Sequence, residues 1–248
     1  MMKHTKLFLL TFFLVAFMLA CNNPEPAEKP KADISLQNPL VEKVTTAEEQ
    51  RALSPDTILQ RLKDGNKRFA DNNITARDHS KMVRATASGQ YPKSVVLSCL
   101  DSRIPVEDVF DKGIGDMFVA RNAGNIVNED LLGSMEYGCK VSGAKLILVL
   151  GHSNCGAIKS AIDDVQMGNI TAMLAKIKPA VKMSANFNGE KTSKNEQFTD
   201  EVGKNNVRNT IEIIIQKSAI LKEMITKKEI RIIGAYYDIK TGVVSFLE

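Results

Sequence analysis

Two cysteines and one histidine occupy positions from which they could hold a metal ion. Cys99 closes the apolar run Ser94-Val95-Val96-Leu97-Ser98, and His152 and Cys155 follow a second run, Leu146 to Leu150, within Gly151-His152-Ser153-Asn154-Cys155-Gly156. Two thiolates and an imidazole suit zinc, and three protein ligands with an open fourth position are the catalytic rather than the structural arrangement. Taken singly, each has an ordinary reading: a cysteine is often a small buried hydrophobe, and a lone His-x-x-Cys recurs by chance. The ligands are far apart in the chain, so only a fold that joins the two strand ends could assemble them. Beside Cys99 stand Asp101 and Arg103. Two partners are open to Asp101: the metal, which would gain a fourth protein ligand, or Arg103, whose planar fork binds a carboxylate bidentately.

The elements that would position these groups can be read from periodicity. Ser54-Pro55 supplies an N-cap and a first-turn proline, and Ile58, Leu59, Leu62 and Phe69 recur at helical spacing. Short strands are expected at Ser94–Ser98, Met117–Arg121, Leu146–Leu150, Ile230–Tyr236 and Val243–Leu247, with a turn at Asn122–Asn125. Helices are expected over Glu129–Lys140, Ala157–Val165 and Val207–Lys227. Continuous apolar strands alternating with helices imply an α/β fold: a mainly parallel central sheet with an antiparallel C-terminal edge strand, flanking helices and an N-terminal helical arm. In such sheets the ligand site lies beyond the carboxyl ends of the strands, where Cys99 and the His152/Cys155 pair fall. One domain over 54–248 is the economical division, since no repeat or change of composition interrupts it.

The chain of 248 residues is 44% hydrophobic and 25% charged, the balance of a globular protein, and its net charge of +4 carries no excess for phosphate contacts. Nucleic acid is not an expected partner. Lys3 and Lys6 precede the apolar run Leu7–Leu19, the form of a secretory signal over residues 1–20 rather than a spanning helix. Met18-Leu19-Ala20-Cys21 resembles a bacterial lipobox, which implies lipidation at Cys21. Residues 21–53 then read as a tether, Pro-, Asn-, Glu- and Lys-rich at its start. The expected location is outside the cytoplasm, at a periplasmic or cell-surface face, with the lipid anchor as the sole membrane contact.

Cys99-x-Asp101-x-Arg103, then Ala120-Arg121-Asn122-Ala123-Gly124-Asn125, then Gly151-His152-Ser153-Asn154-Cys155-Gly156-Ala157 resemble the β-class carbonic anhydrases in order and spacing. The resemblance runs from Gly65-Asn66-Lys67-Arg68-Phe69 to Gly234-Ala235-Tyr236-Tyr237-Asp238. It implies one zinc ion per subunit on Cys99, His152 and Cys155, with Asp101 and Arg103 as the adjacent dyad. Reversible hydration of carbon dioxide to bicarbonate and a proton, by zinc-bound hydroxide, is the implied reaction. The resemblance also places Gln90, Phe118 and Tyr137 in the substrate pocket, with Gly156 beside it, where a side chain would crowd the substrate. The tyrosine position crosses a dimer interface in that family, which implies a homodimer or an assembly of dimers.

Two thiolates donate more charge than the three histidines of the reference carbonic anhydrase site, where bound water has a pKa of about 7. Activity is therefore expected to rise toward alkaline pH. His79 reads as a surface side chain, Cys139 as a packing residue, and the Lys- and Asn-rich segment 183–206 as a solvated loop or helix face.

Overall fold

The computed structural model describes residues 43–247. The signal segment, Cys21 and most of the expected tether lie outside them. None of the described helices is long and apolar enough to cross a membrane.

Strand β1 (Ser94–Cys99) and strand β3 (Leu146–His152) are buried along their whole length, as their unbroken apolar runs require. Strands β2 (Met117–Asn122), β4 (Arg231–Tyr237) and β5 (Val244–Leu247) complete a sheet in the order β2-β1-β3-β4-β5. Every pairing is parallel except β4 with β5, so the expected architecture holds, including its antiparallel C-terminal edge. Alternation splits the core. Val96, Leu148 and Leu150 pack with Phe110 and Ile58 on one face, while Val95, Leu97, Ile147 and Val149 meet Met135, Val207 and Ile214 on the other. Because β1 and β3 are neighbours paired from Ser94↔Leu146 to Ser98↔Leu150, the residues that end them come out side by side.

The arm helix Pro55–Ala70 begins at Ser54, whose hydroxyl accepts from Thr57 N–H. The segment Gly65-Asn66-Lys67-Arg68-Phe69 is its fastening. A Cβ on Gly65 would lie 1.9 Å from the carbonyl oxygen of Phe110, so only glycine permits this approach. Asn66 donates to Val109 O and Gly242 O and accepts from Val244 N–H, which ties the helix to the hairpin before β5. Arg68 and Arg77 both reach the fully buried carboxylate of Asp111, which also accepts from the Thr75 hydroxyl and N–H.

Four expectations need correction. The end of the presumed tether is structured: Ala47–Ala52 is a helix with a Thr46/Glu49 capping box. Its buried Gln50 donates to Pro92 O and Ser142 O, and Lys145 closes the helix end through Arg51 O and Leu53 O. The segment 183–206 is not all solvated, since Ser184, Phe198, Thr199, Val202, Asn205 and Asn206 are buried. The helix expected over Val207–Lys227 starts earlier, as Glu196–Lys217, and breaks at Ser218. Ser218 leaves helical geometry, caps the following helix Ala219–Thr226 by accepting from Leu221 N–H, and donates to Glu136. Similarly, Glu129–Glu136 gives way to a wider π turn over Tyr137–Val141. His79 is exposed and Cys139 buried, as expected.

Candidate metal centre

Cys99 is the last residue of β1, His152 the last of β3, and Cys155 the residue on which the helix Gly156–Ile162 starts. The adjacency of β1 and β3 brings all three together, buried, with ligand atoms within 4.8 Å of one another. Both cysteines are free thiols. Asn154, between the second and third ligands, takes a left-handed φ of 55°, and its side chain is held by Lys159. That turn reverses the chain tightly enough for His152 and Cys155 to face the same point.

The imidazole is already oriented. Its Nδ1 lies 2.9 Å from Ser153 O, a carbonyl that can only accept, so the proton sits on Nδ1 and Nε2 carries the lone pair. Nε2 is buried without a hydrogen-bond partner among the described residues. A buried nitrogen lone pair facing two thiols is costly as it stands and suits a divalent cation of zinc's ligand preference. Cys99 is held far below the ordinary thiol range by the hydrogen bond from Cys155, against burial, with the Gly124 and Asp101 amides assisting. Cys155 is pushed up by the same hydrogen bond and by burial. A cation within the triangle would favour both thiolates.

Of the two partners open to Asp101, the structure shows Arg103. Its Nε donates to Oδ1 at 2.9 Å, its Nη2 to Oδ2 at 2.7 Å, and its backbone N–H to Oδ1 at 3.0 Å. The Arg103 side-chain hydrogen bonds hold the Asp101 carboxyl down at about 2, so it is ionised at neutral pH. Asp101 is not in the ligand triangle, although its Oδ2 stands 3.9 Å from His152 Nε2. Sequence reasoning assigned no task to Arg121, yet it clamps this loop, donating to Cys99 O at 3.0 Å and Asp101 O at 2.6 Å. Its place in the Ala120–Asn125 motif was the available signal.

Gly156 is exposed at the mouth of the site, and a Cβ there would meet nothing within 4 Å. Among the described residues, no group requires a glycine at that position. Gln90, Phe118 and Tyr137 do not adjoin the triangle within one subunit. Gln90 is exposed ahead of β1, at the opposite end of that strand from Cys99. Phe118 pairs with Val95, four residues or about 13 Å along the sheet from the Cys99↔Asn122 level. Tyr137 is 58% exposed, next to Gly138, whose absent side chain lets the π turn rest on Val95 and Phe118. A pocket role for any of the three, and not for the tyrosine alone, therefore needs a second copy of the chain.

The fold and site together define a class: an α/β protein with a buried Cys-His-Cys group able to hold a metal ion where two adjacent parallel strands end. The family profile described as carbonic anhydrase matches residues 94–244. Carbonic anhydrase 2 of Mycobacterium tuberculosis is 32% identical over 195 residues, covering 76% of this chain and 91% of that protein. A carbonic anhydrase of Pseudomonas aeruginosa is 39% identical over 101 residues, 38% of this chain and 45% of that one. Among solved structures, the β-carbonic anhydrase CafA of Aspergillus fumigatus superposes with a TM-score of 0.63 at 19% identity, over 78% of this chain and 90% of its own. The Coccomyxa β-carbonic anhydrase in complex with acetazolamide gives 0.61 at 24% identity, over 77% and 84%. The chain belongs to the carbonic anhydrase family, as a β-class enzyme.

Proposed function

We propose that this chain catalyses the reversible hydration of carbon dioxide to bicarbonate and a proton, with one zinc ion per subunit held by Cys99, His152 and Cys155. The observation that carries the reading is the buried, unpartnered Nε2 of His152 beside two free thiols. Zinc bound there would supply the Lewis acidity that activates water as a nucleophile. The chain's residues do the rest. Arg103 grips both oxygens of Asp101 and keeps that carboxylate from becoming a fourth ligand, which leaves room for water. Asp101, ionised and 3.9 Å from the ligand nitrogen, accepts a hydrogen bond from the attacking water and turns its lone pair toward carbon dioxide. The open space at Gly156 admits the substrate.

Gln90, Phe118 and Tyr137 enter the pocket from a second subunit in this proposal, so the working form is a homodimer or an assembly of dimers. The separation of Gln90 and Phe118 from their own triangle, at the opposite end of the strands from Cys99, supports it. One solved relative, from Sordaria macrospora, is described as tetrameric. The leader pattern ending at Cys21 supports export and lipid anchoring, with the catalytic domain in the periplasm or at the cell surface. Metabolic labelling with a radioactive fatty acid, lost in Cys21→Ala, tests that part.

The enzymatic reading is tested by stripping the leader-free protein of metal and titrating zinc back while following carbon dioxide hydration. The rate should climb to a plateau at one zinc per chain. A plateau with bound zinc and no hydration would overturn the reading.

A further inference from the structure

Asn206 takes no part in the ligand triangle or the dyad, yet it is wholly buried, 0% exposed, in the helix Glu196–Lys217. Its Nδ2 donates to Gly124 O at 2.7 Å, and its Oδ1 is buried without a partner among the described residues. A primary amide buried for one hydrogen bond is poorly compensated by that bond alone. The bond falls on a turn that needs holding. Gly124 has a φ of 75°, and a Cβ there would lie 2.7 Å from Ile177 Cδ1 and 3.2 Å from Ala157 Cβ. The N–H of this same glycine donates to Cys99 Sγ at 3.4 Å. Glycine is free to rotate, so the direction of that N–H depends on what grips the residue from outside. Asn206 grips it at the carbonyl, and Thr210, one turn along the helix, donates to the next carbonyl, Asn125 O, at 3.3 Å.

We propose that Asn206 is a positioning residue of the metal centre: by fixing Gly124 it aims an N–H at the Cys99 sulfur and sets how much charge that sulfur gives to the metal. The inference rests on the zinc reading above. A hydrogen bond to a thiolate ligand draws electron density from the sulfur, and partners one shell out commonly alter metal affinity by about 10- to 100-fold. Without the N–H, Cys99 donates more strongly, its lone pairs rise in energy and the metal becomes a weaker acid.

The test uses the leader-free protein loaded with cobalt(II) in place of zinc. Wild-type protein should show a thiolate-to-cobalt charge-transfer band, and Asn206→Ala should move that band to longer wavelength. The alkaline midpoint of the zinc-loaded variant's hydration rate should rise, as the weaker acidity of its metal requires. Asn205→Ala is the control. Asn205 is buried on the same helix, but its amide bonds Ser184 Oγ and Glu201 Oε1 rather than the turn, so the band should stay in place. Asn206→Ser removes the same reach with a smaller loss of buried polarity and gives the comparison if the alanine variant does not fold.

A wild-type protein that binds cobalt without a charge-transfer band would contradict the metal reading itself. A folded Asn206 variant with an unmoved band and an unmoved alkaline midpoint would overturn this proposal alone. An equal shift in Asn205→Ala would overturn it too, by assigning the effect to a loosened helix.

Discussion

Arg103→Ala removes the fork and leaves the carboxylate of Asp101 in place. Two hydrogen bonds go, at 2.9 Å and 2.7 Å, while the backbone bond from residue 103 at 3.0 Å survives. With Arg103 as the main cause, Asp101 sits at about 2 against an ordinary 3.8, so the carboxylate stays ionised. The Arg103 side chain is 49% exposed, so the hold of this bidentate pair on the carboxylate's orientation is worth about 1 kcal/mol. That is roughly a fivefold preference for the pose turned away from the metal. Stopped-flow carbon dioxide hydration near neutral pH should therefore fall about fivefold, mainly in kcat, with zinc content unchanged. Arg103→Lys should not restore the rate, because an ammonium is a point charge and cannot hold both oxygens of a carboxylate in a fixed plane. Full activity in the zinc-replete alanine variant, or full rescue by lysine, would refute the assigned role.

Gly156→Ala should leave thermal stability within about 0.5 kcal/mol, since the added methyl touches none of the described residues, and should lower kcat/KM; an unaffected kcat/KM would remove the glycine from the pocket. Gly65→Ala should destabilise by more than about 2 kcal/mol in urea unfolding, because the new Cβ would sit 1.9 Å from Phe110 O. Asp111→Ala strands Arg68 and Arg77 without their common acceptor and should cost about 3 kcal/mol by the same method. Burial would raise Asp111, but Thr75, Arg68 and Arg77 outweigh it and hold it at about 2, below its ordinary 3.8. A folded value below the unfolded one stabilises fully above the unfolded value, so wild-type stability should fall as pH drops from about 4 to about 2. Asp111→Asn should show a shallower fall over that window.

The parallel sheet and the ligand triangle were legible because both rest on local pattern: unbroken apolar runs, and polar residues at the ends of two of them. Strand ends at Cys99 and His152 follow from where the apolar runs stop. What the sequence could not convey depends on contacts between distant segments. Asn206 belongs to a Lys- and Asn-rich stretch that looks solvated until the helix is laid against the turn at Gly124. Gln50 sits in a polar segment whose docking rests on two backbone carbonyls that no side-chain pattern announces. The helix break at Ser218 is hidden for a related reason. The periodicity on either side runs on, and only the cap and the bond to Glu136 reveal the interruption. Gln90 and Phe118 were assigned to the pocket through resemblance, and the strand register sets Phe118 away from its own subunit's triangle, a separation that no local pattern announces.

The most direct test of the proposed chemistry is carbon dioxide hydration measured by stopped flow from mildly acidic to alkaline pH, on leader-free wild-type and Cys155→Ser protein, with zinc determined on each sample. The structure predicts wild-type activity that rises with pH at one zinc per chain, and loss of both zinc and activity in Cys155→Ser. A zinc-replete wild-type protein inactive at every pH, or a Cys155→Ser variant with full zinc and full activity, would contradict it.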